Sequence, residues 1–247
     1  MRVNRVYVAY PIAGRRSCEL TGTVANHVLR VLRLRAGDPL TLFDGTGGEF
    51  SATIEAGSRD RVTVSVGEHS SVERESAVDV TLVQGISRSE RMDLVVQKTT
   101  ELGVTRIVPV TTERTIVHIG APQADRKFGH WRAIAIAACE QCGRNRLPDL
   151  RPPMSWRAWL EARPPAASAL LLSTHATTSL AAALGSATKV ELLIGPEGGL
   201  TGDEESAALA AGFRGVSLGP RVLRTETAAI AALAAIQHAI GDLQGDL

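Results

Sequence analysis

The sequence predicts an α/β protein: a small N-terminal β-barrel-like module followed by a larger domain built on a parallel sheet. Three observations carry this. Phe50, Ala52 and Ile54, then Val62, Val64 and Val66, alternate with polar neighbours, the period of half-buried strands. After residue 77, short apolar runs alternate with stretches of helical length, as in a parallel sheet with crossover helices. Between the two, His69–Ala77 (HSSVERESA) is polar and aperiodic, which divides the chain into residues 1–72 and 77–247.

Taken in order, Arg5 to about Glu68 reads mainly as strands. Asp44-Gly45 and Gly47-Gly48 are turn signals between Leu40–Phe43 and Glu49–Glu55, and Val24–Leu34 is a helical insert. Val78–Gln84 is a compact apolar strand. Ser87-Arg88-Ser89-Glu90 fits a capping box that opens a helix over Arg91–Leu102, closed by Gly103. Arg106–Val110 is the next strand and Ala124–Cys142 a long amphipathic helix. Pro148, Pro152, Pro153, Pro164 and Pro165 punctuate an irregular stretch containing Trp156 and Trp159. Leu170–Leu172 and Val190–Ile194 read as short strands buried on both faces. Thr201-Gly202-Asp203-Glu204 is a second capping box, whose helix ends at Gly212. Val216–Leu218 is the last strand, and Thr225 caps an alanine-rich final helix.

Hydrophobic residues at 44% and charged residues at 21% exclude a disordered chain and a membrane protein. The longest apolar-looking stretch, Thr227–Ile240, is too short to span a bilayer. No continuous apolar run follows Met1-Arg2-Val3-Asn4-Arg5, so no secretory signal is expected. Three cysteines argue for a reducing compartment, and a cytoplasmic location is expected. With 27 basic and 26 acidic residues the net charge is +1, too little to coat nucleic acid indiscriminately but compatible with a local basic face. Lys98, Lys127 and Lys189 are the only lysines, leaving 24 arginines. The guanidinium suits phosphate and base stacking, although an arginine-rich codon usage produces the same bias.

Two loops that follow short apolar strands are the candidate sites of chemistry. Gly195-Pro196-Glu197-Gly198-Gly199 runs from a strand into the helix capped at Thr201, and its glycines would let backbone approach a ligand closely. It is neither G-x-G-x-x-G nor a phosphate-binding P-loop, and a purely structural turn has the same composition. Leu218-Gly219-Pro220-Arg221-Val222-Leu223-Arg224 places two arginines just before a helix start, where the helix dipole repels them. A ligand or distant carboxylates would each account for them. Cys139-Glu140-Gln141-Cys142 lacks the further ligands zinc needs and lies at a helix end rather than at the start typical of redox pairs. His27, His118, His130, His175 and His238 are scattered, so no metal is expected.

These motifs resemble those of the 16S rRNA (uracil-N3) methyltransferases of the knotted SPOUT superfamily. The resemblance runs nearly end to end: Asn26–Arg33, Gly37-Asp38 and Phe43-Asp44-Gly45; Gln97-Lys98 with Glu101–Val104; Trp131-Arg132, Glu140-Gln141 and Arg144; and, most specifically, Ile194–Gly199 and Leu218–Ala228. Members often carry paired histidines where this chain has Asn26-His27.

The resemblance implies a C-terminal parallel-sheet SPOUT domain with a trefoil knot, a small N-terminal PUA-like RNA-binding β-barrel, and a homodimer formed through the C-terminal domain. It implies S-adenosylmethionine as cofactor, held by Leu172, Ser173, Thr174, Ile194, Gly195, Pro196, Glu197, Gly198, Gly199, Leu218, Gly219, Val222, Leu223, Arg224, Thr225 and Ala228. The substrate it implies is a uridine of 16S rRNA in the small ribosomal subunit. For the chemistry, Arg224 or Arg221 can stabilise the developing uracil anion, and Glu197 or Glu226 can accept the N3 proton. Glu226 also has a structural reading as favourable charge at a helix start, and Glu197 one as a turn hydrogen bond. Arg5, His27, Arg30, Arg33, Lys98, Arg132 and Arg144 are the expected RNA contacts; His27, Arg30 and Arg33 share helical i, i+3, i+6 spacing. A SPOUT enzyme acting on a ribose 2′-hydroxyl and a nonenzymatic rRNA-binding assembly factor are the alternatives.

Overall fold

The computed structural model describes residues 3–116, 120–164 and 168–244. Met1, Arg2, His118 and Pro165, named above, lie outside the described residues. Contacts divide the chain into two units, residues 1–75 with 139–147, and residues 76–138 with 148–247.

The first unit is a five-stranded sheet. Strands β1 (Asn4–Tyr7), β2 (Ser17–Thr21), β3 (Pro39–Phe43), β4 (Glu49–Ser58) and β5 (Arg61–Ser70) lie in the order β1-β3-β4-β5-β2. Among the described residues no ladder joins β1 to β2, so the expected barrel is present as a sheet with two edges. Alternation decides what is buried: Leu40 and Leu42, Ala52 and Ile54, Val62 and Val64 form one core with Val6 and Leu20. The helical insert is shorter than its pattern suggested. A five-residue α1 (Gly22–Asn26) passes into a π-helical turn, His27–Val31, and Arg33 leaves it with φ of 57°. That left-handed backbone is costly for a side chain with a Cβ. It is held by amide bonds from Leu32 to His27 O (2.9 Å) and from Leu34 to Val28 O (3.0 Å).

The second unit is a parallel sheet in the order β12-β10-β11-β6-β7-β8, with β9 beside β7. Its strands are β6 (Asp79–Gly85), β7 (Arg106–Thr111), β8 (Asp149–Leu150), β9 (Met154–Ser155), β10 (Ala169–Leu172), β11 (Lys189–Ile194) and β12 (Arg214–Val216). Because the strands are buried on both faces, alternate residues feed two cores. Val80, Leu82, Leu192 and Ile107 pack with α2 (Ser89–Glu101), α5 (Leu180–Leu184) and α7 (Thr225–Ile240). Val83, Val108, Leu171 and Leu193 pack with α4 (Trp156–Ala162) and α6 (Gly202–Ala210). Helix α3 (Ala121–Cys142) contributes Trp131 and Ala135 to the first of these cores.

Several expectations are corrected. The stretch read as irregular contains α4, because Ser155 caps it by accepting from Ala158 N (3.2 Å) and Trp156 and Trp159 supply a buried face. The last strand ends at Val216 rather than Leu218. Ser87 does not cap α2: the N-cap is Arg88, with no side-chain cap bond, and Ser87 is wholly buried. Thr225 does not cap α7 either, since Arg224 holds the extended N-cap conformation and Thr225 is already helical. The capping box at Thr201 and Glu204 is present in both directions.

Candidate active site

A cavity of about 460 Å³ opens at the carboxyl ends of β10, β11 and β12. This is where open parallel sheets place ligands, since the strands stop while loops diverge around them. Leu172–Thr174 leave β10, Ile194–Leu200 leave β11, and residues 217–225 run from β12 into α7, which adds Ala228. Arg91 of α2 and Glu205 of α6 complete the wall.

The glycine loop is shaped by backbone meeting backbone. A Cβ on Gly195 would stand 3.0 Å from the Gly199 carbonyl carbon and the Leu200 nitrogen. A Cβ on Gly85, the last residue of β6, would overlap Pro196 and lie 2.8 Å from the Gly195 carbonyl carbon. Gly198 differs from the expectation of direct ligand approach: its missing Cβ would meet the Arg114 side chain at 3.0 Å.

Polar side chains from distant elements then fix the loops. The Thr225 hydroxyl donates to Gly195 O (2.7 Å) and accepts from Gln84 Nε2 (2.8 Å), and Gln84 is fully buried. Glu197 Oε1 accepts from the Arg88 amide (3.0 Å) and from Arg91 Nη1 (3.2 Å). The carboxylate thus sits at the start of α2, where negative charge is favoured, and replaces the missing local cap. Arg91 Nε also lies 3.8 Å from Glu226 Oε1, so one guanidinium links both candidate proton acceptors. The second oxygen of each, Glu197 Oε2 and Glu226 Oε2, is buried without a hydrogen-bond partner.

Every residue expected at the pocket, in Leu172–Thr174, Ile194–Gly199, Leu218–Gly219, Val222–Thr225 and Ala228, lines this cavity. Arg221 lines it too, and both Arg221 and Arg224 are exposed. Glu226 stands behind the wall, its side chain 10% exposed. Sequence reasoning missed Arg91, Leu200, Glu205 and Ser217. For Arg91 a signal existed: a base in the first turn of a helix opposes the dipole, the argument applied to Arg221 and Arg224.

The expected RNA contacts divide. In the first unit, Arg30 and Arg33 are exposed and His27 half-buried, but the π-turn and the left-handed Arg33 remove the regular i, i+3, i+6 face. Arg5 and Arg144 are nearly buried, with side chains 7% and 5% exposed. Arg5 pairs with Glu49, donates to Asn145 Oδ1 (2.6 Å) and lies over the Phe43 ring, while Arg144 binds Glu75 (2.6 Å). A buried guanidinium needs such saturation, and local sequence does not announce it. In the second unit, Lys98 pairs with Glu101 (2.9 Å) on the surface of α2 and Arg132 is exposed on α3. The C-x-x-C pair is free thiols, and burial pushes the Cys139 thiol up to about 12. Among the described residues no three His, Cys, Asp or Glu side chains gather as metal ligands.

Two family profiles match the chain, an RNA methyltransferase domain over residues 74–237 and an RNA methyltransferase PUA domain over residues 20–67. Fold and cavity together therefore define an RNA methyltransferase. The chain is 32% identical to the ribosomal RNA small subunit methyltransferase E of Buchnera aphidicola, over 98% of each chain. It is 37% identical to the crystal structure of that enzyme from Neisseria gonorrhoeae bound to S-adenosyl methionine (TM-score 0.93, 98% of this chain and 100% of the other). It is 40% identical to a Legionella pneumophila methyltransferase solved with bound SAM (TM-score 0.92, 98% and 100%). The chain belongs to the small subunit ribosomal RNA methyltransferase E family.

Proposed function

We propose that this protein transfers a methyl group from S-adenosylmethionine to N3 of one uridine in 16S rRNA of the small ribosomal subunit. The observation that carries this reading is a cavity lined by both loops of the resemblance, in a chain 37–40% identical to two proteins solved with that cofactor. The residues present fit the cofactor. The cavity lies within the roughly 300–1,000 Å³ of small-molecule sites. Leu172, Ile194, Leu218, Leu223 and Ala228 offer apolar walls for a nucleoside, and Ser173, Thr174 and Ser217 offer polar side chains for its edges.

When bound, the cofactor supplies a methyl group already activated on a sulfonium. The chain's own residues must then position the base, take up the N3 proton and stabilise charge spreading onto O2 and O4. Glu197, which lines the cavity, or Glu226 just behind it takes up that proton, each having one oxygen that no donor among the described residues occupies. Arg91 holds their other oxygens and keeps both carboxylates in place. Arg224, with Arg221, supplies exposed positive charge at the cavity for the uracil oxygens. N3 lies on the Watson–Crick edge, so the target uridine is bound unpaired.

Residues 1–72 serve as the RNA-binding domain and residues 77–247 as the catalytic one, with Arg30 and Arg33 the contacts left free for phosphate. Helix α7, rich in small side chains, is assigned to a homodimer, and the segment from β12 into α7 to the trefoil knot. The protein acts in the cytoplasm, where small ribosomal subunits are made. The test is incubation of the protein and S-adenosylmethionine with small subunits from cells lacking the gene, followed by mass spectrometry of nucleosides. 3-Methyluridine is expected. A ribose 2′-O-methyl product, or cofactor binding without any transfer, would replace this reading with one of its alternatives.

A further inference from the structure

The loop after β7, Thr112–Ile116, touches no face of the cavity, yet its side chains close on the glycine loop that does. Arg114 Nη1 donates to Gly198 O (3.1 Å) and to Leu200 O (3.2 Å). Beside it, the Glu113 amide donates to Glu204 Oε1 (2.9 Å), while Glu204 Oε2 accepts from the Thr201 amide (3.0 Å). The loop is itself braced: Thr112 N donates to Thr115 Oγ1 (2.8 Å), and both threonines are buried. Gly198 lies so close to Arg114 that any side chain there would press on it.

We infer that Arg114 is a positioning residue for the cofactor, clamping Gly198–Leu200 in the conformation that walls the cavity. The glycine loop needs such a clamp. Its glycines have wide conformational freedom, and Gly199 sits at φ of 70°. Inside the loop, the Gly199 amide reaches only back to Pro196 O (2.9 Å). A guanidinium bridging two carbonyls two residues apart removes that freedom before the ligand arrives, so less ordering is left for binding to supply. Arg114 is exposed and contributes little to the core, which separates this role from simple stability.

The inference rests on the proposed function, and calorimetry with S-adenosylmethionine on the full chain separates the two. Arg114→Ala should weaken cofactor affinity about tenfold and leave the RNA KM unchanged, as expected for lost preorganisation. Amide hydrogen exchange at Gly199 and Leu200 should accelerate in the free protein while the denaturation midpoint holds. Arg114→Lys, which keeps a donor, should recover part of the affinity. Wild-type protein that binds no S-adenosylmethionine overturns the proposed function. Wild-type protein that binds it, with an Arg114→Ala affinity within about twofold, overturns this inference alone. Equal loss of cofactor and RNA affinity together with a lowered midpoint overturns it as well.

Discussion

Replacing Thr225 by valine tests whether the two cavity loops are tied through the fully buried Gln84. Valine matches threonine in shape, so the change removes one hydroxyl and nothing else of size. The hydroxyl donates to Gly195 O at 2.7 Å and accepts from Gln84 Nε2 at 2.8 Å. Its loss leaves the half-buried Gly195 carbonyl at the cavity wall and the fully buried Gln84 amide each one partner short. At about 1–3 kcal/mol for each buried group left unpaired, the cost should be about 3 kcal/mol. For a chain of this length that corresponds to a fall of roughly 6–12 °C in Tm. Thr225→Ser keeps the hydroxyl and should cost about 1 kcal/mol, the worth of one methyl group. Urea denaturation followed by tryptophan fluorescence reads the difference. Adding Gln84→Leu to Thr225→Val should cost less than the two single changes summed, because the amide that had lost its partner is itself gone. The reasoning fails if valine and serine at 225 are equally stable, or if the double change is strictly additive.

Three further outcomes are expected. Arg224→Ala should slow methyl transfer about a hundredfold on bound RNA in single-turnover assays, far more than it weakens RNA binding in filter assays. Arg33→Gly should stabilise the protein by about 0.5–1 kcal/mol, since glycine accepts the left-handed backbone without strain, and should weaken RNA binding in filter assays. Cys139 should resist alkylation at pH 8 until the protein is unfolded, whereas the half-buried Cys142 should label in the native state. Burial raises the Cys139 thiol to about 12. The folded state therefore favours the neutral thiol, and its contribution to stability is complete at neutral pH. That contribution is lost as pH rises from the ordinary thiol value of about 8.5 towards the folded one, which a titration of urea midpoints against pH would show.

What could be read from the sequence was what local chemistry decides. The capping box of Thr201 and Glu204 needs four consecutive residues and appears as written. Apolar runs such as Val190–Ile194 become strands because nothing polar interrupts them. The cavity wall was legible for the same reason, since its glycines and arginines sit in two continuous loops. What escaped depends on partners far away in the chain. Arg5 and Arg144 look like free surface bases until Glu49 and Glu75 arrive beside them. Thr225 is a plausible helix cap until Gly195 and Gln84 claim its hydroxyl. The capping box at Ser87 failed because Glu197, from another strand's loop, reaches the start of α2 first. The π-turn at His27 cannot be told from an α-turn by apolar spacing over five residues.

The bond between Gln84 and Thr225 joins positions 141 residues apart. A chain emerging from the ribosome N-terminus first would make β6 and its exposed amide long before the hydroxyl that answers it exists. Residues 195–200 follow, and only the opening turn of the last helix completes the wall around them. The growing polypeptide would thus make every strand of the parallel sheet before it had a finished ligand site. Truncations that stop short of Thr225 should form much of the sheet and still have no place to hold a nucleoside, and the binding step would serve as a report that translation had run past the start of α7.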